Sequence, residues 1–437
     1  MAVSASGAAR APARATLAGL AARVWTPRVV VPLVFALSAA WFAWQASHVS
    51  SYIWLIDEML YVKQAHGYSE LAGLMPHVHG EPYGVPNVLY PLLMAPLYAL
   101  LSSPDAFEAA HILNGLLWTS ALFPVYLLVR RLGASWQWAL LAGILTIWVP
   151  WSVATLVVMT EAATYAVFPW AILAITIAVA EPRPRNHVLA VAAILLAVAA
   201  RTQMVFLFGV LVLAAIAFEV SVPDGVRLRE RLRRRWSLIA ILGGGALLLG
   251  AVAVLGGKPL GGYELTASLE RFPGGLWGSA VQHAAHVFVG LAVIPPIMFF
   301  AWLYSVAAEP RGPLERSFAL VAAITLVLIF YQAAFFAQLI AAGMQERYVS
   351  YAVPILVVGA VLLAADRLRG TPRLSLLASG LLVAGVIAGA PFDAGEAAGA
   401  FDRVANGGAA LGEVFMKDIP ELTRSIPGRD LRTNEGL

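Results

Sequence analysis

The 437-residue chain has no cysteine, which removes disulfide frameworks, thiolate metal centres and cysteine nucleophiles together and leaves the redox compartment unreadable from thiols. Charge is scarce too. Asp, Glu, Lys and Arg make up 12% of the residues, against roughly 25% in an average soluble domain, so an ordinary water-soluble globule is excluded. Tandem repeats are missing, as is the pairing of interrupted apolar segments that marks inverted-repeat transporters. The one glycine-rich stretch with a lysine, LGGKPLGG at 255–262, is no phosphate loop: Pro259 replaces the Ser or Thr after the lysine, and Val252 falls where the first glycine belongs.

Hydrophobic residues make up 60% of the chain. Since a bilayer crossing takes about 20 apolar residues, the sequence predicts a polytopic membrane protein, all α-helical. The apolar runs place eleven spans near 29–45, 109–129, 137–157, 163–180, 187–201, 203–220, 237–255, 287–307, 317–338, 348–365 and 374–391. The first reads as a signal anchor rather than a cleaved signal, because its apolar run continues through Trp41, Phe42 and Trp44. With the N-terminus inside, segments 1–28, 130–136, 181–186, 221–236, 308–316 and 366–373 carry 19 of the 29 Lys and Arg. Five of the other ten lie beyond residue 391, so the loops themselves are strongly biased toward positive charge inside. Acidic residues run the other way, with 18 of 25 outside. The expected organisation is a basic cytoplasmic segment 1–28, a transmembrane domain 29–391 in the cytoplasmic (inner or plasma) membrane with outer loops 46–108 and 256–286, and an outer tail 392–437. The run LYPLLMAPLYALL at 89–101, too short to span, is expected to form an interfacial helix in the first loop.

The net charge of +4 would suggest nucleic acid in a soluble protein. Here it follows from the membrane sidedness, and RLRERLRRR at 227–235 reads as an anchor on anionic headgroups. Chemistry is expected outside. Asp57 and Glu58 stand in YIWLIDEMLYVKQA as the chain leaves the first span, where partial desolvation disfavours ionised carboxylates and moves them toward useful basicity. The bland alternative is that they orient an interfacial helix. Glu161 opens the fourth span, Arg201 and Gln203 occupy the outer turn between the fifth and sixth, and Glu346 and Arg347 precede the tenth. Charges at that depth are costly, so either they pair internally, as Glu161 with Arg201, or they form a site for an anionic, lipid-linked substrate. His77, His79 and Glu81 form HVHGE, and His283 and His286 sit three apart in the second loop. Such donors suit a divalent cation, although loop histidines are more often simply hydrated. Tyr61 and its neighbours Tyr52, Trp54, Tyr68, Tyr83 and Tyr90 fit an interface belt, some able to stack on sugar rings.

In order, the chain shows Asp-Glu outside the first span, YPLL at 90–93, a Glu opening the fourth span and RYVSYAVP at 347–354. This series resembles the GT-C superfamily of membrane glycosyltransferases, specifically the protein O-mannosyltransferase and lipid A aminoarabinose transferase group, over roughly residues 25–365. The chain departs from that pattern in having a single proline, Pro91, where a pair is usual, and in lacking the large soluble C-terminal domain of some members. The resemblance implies transfer of a sugar from a polyprenyl-phosphate carrier to an acceptor hydroxyl on the outer face, usually with inversion, the acceptor being an envelope glycan, lipid or protein. Asp57 would be the base and Glu58 would orient the acceptor or hold a cation. Arg347, Arg201 and Lys63 would bind the donor phosphate, and Glu161, Glu346, Tyr61 and Tyr348 would line the substrate site. The rival reading is a transporter or lipid flippase, which predicts charges at the midplane rather than near one face. A non-catalytic partner in an envelope assembly would make Asp57 replaceable.

Overall fold

The structure, a computed structural model, describes residues 25–49, 55–70, 77–78, 81–82, 87–221, 227–254, 275–339, 346–366 and 373–390. Apart from a two-residue antiparallel ladder, β1 (His77–Val78) with β2 (Glu81–Pro82), the described secondary structure is helical. In chain order the helices are α1 (Pro27–Ala46), α2 (Leu55–Ser69), α3 (Leu89–Leu100), α4 (Ser103–Ser120), α5 (Leu122–Arg131), α6 (Trp136–Ile147), α7 (Thr160–Ala180), α8 (Pro184–Ala200), α9 (Phe206–Ser221), α10 (Leu228–Arg234), α11 (Trp236–Val254), α12 (Leu276–Gly290), α13 (Ile294–Ala308), α14 (Pro313–Leu339), α15 (Ala352–Ala365) and α16 (Arg373–Ala388). Short 3-10 turns cover Pro150–Leu156, Thr202–Val205 and Glu346–Tyr348.

Local sequence sets many of these boundaries. Proline occupies the first turn of α1, α4, α8 and α13, where its missing N–H costs nothing and its fixed φ suits the helix. After α5, Gly133 at φ 92 closes a Schellman stop, with its N–H on Arg130 O and the N–H of Ala134 on Val129 O.

Among the described residues five helical stretches, 27–46, 103–131, 160–180, 202–221 and 313–338, are long and apolar enough to cross a membrane, and the chain is an integral membrane protein. Helix α7 is apolar on every side and buried on nearly every side, packing against α4, α8 and α14, so it is the axis of the bundle. Helix α15 is equally enclosed, lying along α13 and α6. The α13–α15 crossing depends on Gly359: a Cβ there would collide with the Phe299 ring and lie 2.8 Å from Trp302 Cε3. By contrast α11, leaning on α8, presents Ile239, Leu247 and Leu248 outward.

Two expected spans are bent. The 137–157 run turns by 62° between α6 and its following 3-10 turn. The 287–307 run is broken near its start, where α12 and α13 meet at 111°. Helix α12 ends in the same Schellman pattern, Ala292 N–H to Val289 O and Val293 N–H to Phe288 O, but Ala292 (φ 57) stands where glycine is favoured and Val293 (φ 68) follows it. A left-handed backbone costs a β-branched residue heavily. His283 and His286, expected in a loop, are therefore inside α12 and fully buried. The 89–101 run is helical, as α3. Residues 1–24, residues 256–274 of the second outer loop and the tail from 391 lie outside the described residues.

Candidate active site

The site forms where the N-terminus of α7, the C-terminus of α8 and the turn before α15 meet. Met159 is extended and Glu161 stands in the first turn of α7, where the helix dipole favours an acid. Arg201 caps α8 in extended conformation, which turns its side chain back across α7. Its Nη1 lies 2.6 Å from Glu161 Oε1, and Arg347 Nη1 lies 3.8 Å from the same oxygen. Glu161 is 4% exposed and Arg201 7%. The Arg201 Nε donates to Gln203 Oε1 at 2.7 Å. Between the two cations lies Tyr348, whose ring has Arg201 over it at 4.9 Å and Arg347 at 5.1 Å. Cation–π contact of this kind keeps two like charges close together while Glu161 neutralises one of them.

A narrow cleft of about 20 Å³ opens on this cluster, lined by Trp151, Val157, Met159, Glu161, Arg347 and Ser350 among others. Neither oxygen of Glu161 has a hydrogen bond of good geometry, so the carboxylate is held mainly by charge. Behind the cleft, Glu346 is fully buried, accepting the Trp151 indole N–H at 3.0 Å with His286 Nδ1 3.6 Å from its other oxygen. Gly290 makes this possible, since a Cβ there would collide with the Trp151 ring.

Helix α2 is fastened over the site from two sides. Glu58, fully buried, accepts the backbone N–H of Val158 at 2.9 Å. Tyr61 accepts Asn87 Nδ2 at 3.0 Å, and Asn87 Oδ1 in turn accepts both the N–H (2.8 Å) and the hydroxyl (2.9 Å) of Thr202, next to Arg201. Tyr61 is itself buried, and burial pushes its hydroxyl up to about 12 against the opposing pull of the Arg201 charge. It stays neutral in the physiological range and serves as a hydrogen-bonding group rather than a base. Tyr90 donates to Asn114 Oδ1 at 2.8 Å, and burial holds its hydroxyl well above the ordinary value.

Of the residues singled out in the sequence, Glu161, Arg201, Arg347 and Tyr348 come together around one cleft, with Tyr61 bridged to it through Asn87. Glu346 sits beside the cleft with its carboxylate engaged by Trp151 and His286. Glu58 anchors α2 to the segment before α7. Lys63 is exposed on α2, with no contact to the cluster among the described residues. Asp57 lies in α2 with its side chain outside the described residues, as are His79 and the His77 side chain. Among the described residues no group of three or more His, Cys, Asp or Glu side chains could hold a metal ion. Sequence reasoning missed Trp151 and Asn87. Their only signal was polar hydrogen-bonding capacity set beside proline, in VPW and VPN.

The chain is similar in structure to ArnT from Cupriavidus metallidurans bound to undecaprenyl phosphate, with a TM-score of 0.55 and 15% identity over 90% of this chain and 80% of that one. It is likewise similar to ArnT from the same organism in the apo state, with a TM-score of 0.52 and 15% identity over 92% and 81%. The many-helix membrane fold expected from the sequence is the fold shared with these two structures. No protein-family model and no curated protein matches the chain.

Proposed function

We propose that this protein is a glycosyltransferase that moves a sugar from a polyprenyl-phosphate-linked donor to an acceptor hydroxyl on the extracytoplasmic face, with inversion. The observation that carries the reading is the convergence of Arg201 and Arg347 on one carboxylate at the cleft. Two guanidiniums against one acid leave a positive, water-poor site, which is what a phosphate leaving group needs as its charge develops. The shared fold with a protein crystallised with undecaprenyl phosphate supports a lipid carrier of that class.

In this mechanism Asp57, which precedes Glu58 by one position and Tyr61 by four in α2, takes the proton of the acceptor hydroxyl. The acceptor oxygen forms its bond to the anomeric carbon from the face opposite the phosphate, the bond from that carbon to the phosphate oxygen breaks, and the polyprenyl phosphate leaves with the electron pair. No acid is required, because phosphate is a stable anion stabilised by the two arginines. Glu58 and Tyr61 fix α2 and hence where Asp57 stands.

The test is transfer by purified protein in liposomes, measured as release of polyprenyl phosphate from a polyprenyl-phosphate sugar. Asp57→Asn is expected to lower turnover by about 10²–10⁴, the usual contribution of a general base, with the fold retained. Wild-type turnover in that variant removes Asp57 from the role, and absence of any transfer by the wild type across a panel of sugars and acceptors overturns the reading.

A further inference from the structure

At the opposite end of the bundle from the candidate active site, a groove of about 570 Å³ runs between α9 and α11 beneath α10. Its volume falls within the roughly 300–1,000 Å³ of ordinary small-molecule pockets. Its walls are apolar, formed chiefly by Val212, Ile216, Val220, Leu238, Ile239 and Leu242. Several of these face outward from the bundle: Ile216 is 57% exposed, Val220 79% and Ile239 52%. The groove exists because α11 packs on α8, which leaves its other side open toward α9.

The α10 end of the groove is different. Arg231, Arg235 and Glu219 line it. Arg235 is 6% exposed, donates from Nε to Glu219 Oε1 at 2.7 Å and from Nη2 to Val179 O at 2.9 Å, and leaves Nη1 buried without a hydrogen-bond partner. Arg231 Nη1 approaches the same Glu219 at 3.7 Å. A buried donor without an acceptor is costly, and here it belongs to a cation that lines an open, apolar channel. Glu219 balances one of the two arginines, and the four other arginines of 227–235 raise the local potential further.

We propose that this groove is a binding site for an anionic phospholipid, its phosphate taken by Arg235 and Arg231 and an acyl chain lying along the α9 and α11 walls. The leaflet is that of α10, which the charge distribution assigns to the cytoplasm. Arginine matches phosphate geometry with paired donors, and the excess positive charge selects a net-anionic headgroup over a zwitterionic one. The site is separate from the catalytic cleft and does not depend on the proposed reaction.

The experiment is native mass spectrometry of delipidated protein titrated with phosphatidylglycerol, phosphatidylcholine or inorganic phosphate. Phosphatidylglycerol is expected to bind at least about tenfold more tightly than phosphatidylcholine. Its affinity is expected to fall about tenfold or more in Arg235→Gln, which loses a charged donor. A similar fall is expected in Ile216→Trp, which fills the groove from an exposed wall and leaves the melting temperature unchanged. Arg231→Gln replaces Arg235→Gln if that variant does not fold. Equal binding of the two lipids overturns the proposal, as does unchanged affinity in Ile216→Trp. Displacement of phosphatidylglycerol by millimolar inorganic phosphate would make this a free-anion site and would overturn it as well.

Discussion

Glu161 is the counter-ion that lets the buried Arg201 and the partly buried Arg347 sit together when no phosphate is present, and Glu161→Gln separates that role from others because it keeps the shape and removes the charge. Arg201 Nη1 at 2.6 Å and Arg347 Nη1 at 3.8 Å share one oxygen, so Arg201 takes the larger part of the attraction by Coulomb's law. Glu161 and Arg201 side chains are both more than nine-tenths buried, and removing one member of a buried pair typically costs about 3–5 kcal/mol. The free variant should lose stability of that order. A phosphate bound between the arginines restores the missing negative charge, so undecaprenyl phosphate should stabilise Glu161→Gln more than it stabilises the wild type at the same concentration. For the wild type a ligand at 100 times its Kd adds about 2.7 kcal/mol; the variant should gain more. Unfolding in detergent followed by tryptophan fluorescence, with and without the lipid, measures both effects. If the free variant is as stable as the wild type, or if the lipid shifts both proteins equally, Glu161 is not the placeholder for a phosphate.

Arg347→Ala should weaken undecaprenyl phosphate binding by about 10–100-fold, the equivalent of one lost charged hydrogen bond of about 1.5–3 kcal/mol, as read by lipid titration. Ala292→Gly should stabilise the protein by up to about 1 kcal/mol, because glycine relieves the left-handed backbone at the end of α12; a loss of thermal stability would refute the account of that corner. In this cysteine-free chain, Glu70→Cys should react with an impermeant thiol reagent on intact cells while Arg233→Cys should not, both native side chains being exposed. The reverse pattern would invert the topology and with it the outward active site.

Much of the arrangement was legible because lipid makes polar groups conspicuous. Charges interrupting apolar runs are so costly that Glu161, Arg201, Glu346 and Arg347 stood out by position alone, and three of the four meet at one cleft while the fourth lies behind it. The internal pair of Glu161 with Arg201, weighed as the bland reading, is real, and it coexists with a cleft at the same residues. Hydropathy does not carry backbone handedness, so LAVIPPIMFF read as part of one span, although Pro295 and Pro296 mark the start of a new helix. The same blindness put His283 and His286 in a loop, when the break displaces α12 into the bundle and buries them. Ser237, the first residue of the seventh apolar run, is 5% exposed and holds His187 Nδ1 at 2.7 Å; hydropathy does not say which residues at the boundary with a basic stretch turn inward. Trp151 and Asn87 act through partners more than a hundred residues away, which no local pattern encodes.

In the proposed reaction a polyprenyl carrier presents its phosphate to Arg201 and Arg347. The most direct measurement is a structure of the purified protein in lipid nanodiscs with undecaprenyl phosphate bound. Phosphate oxygens are expected about 2.7–2.9 Å from guanidinium nitrogens of both arginines, the spacing of charge-assisted hydrogen bonds, with Glu161 drawn away from Arg347. A lipid phosphate seated elsewhere, with the Arg201–Glu161–Arg347 cluster unchanged, would contradict it.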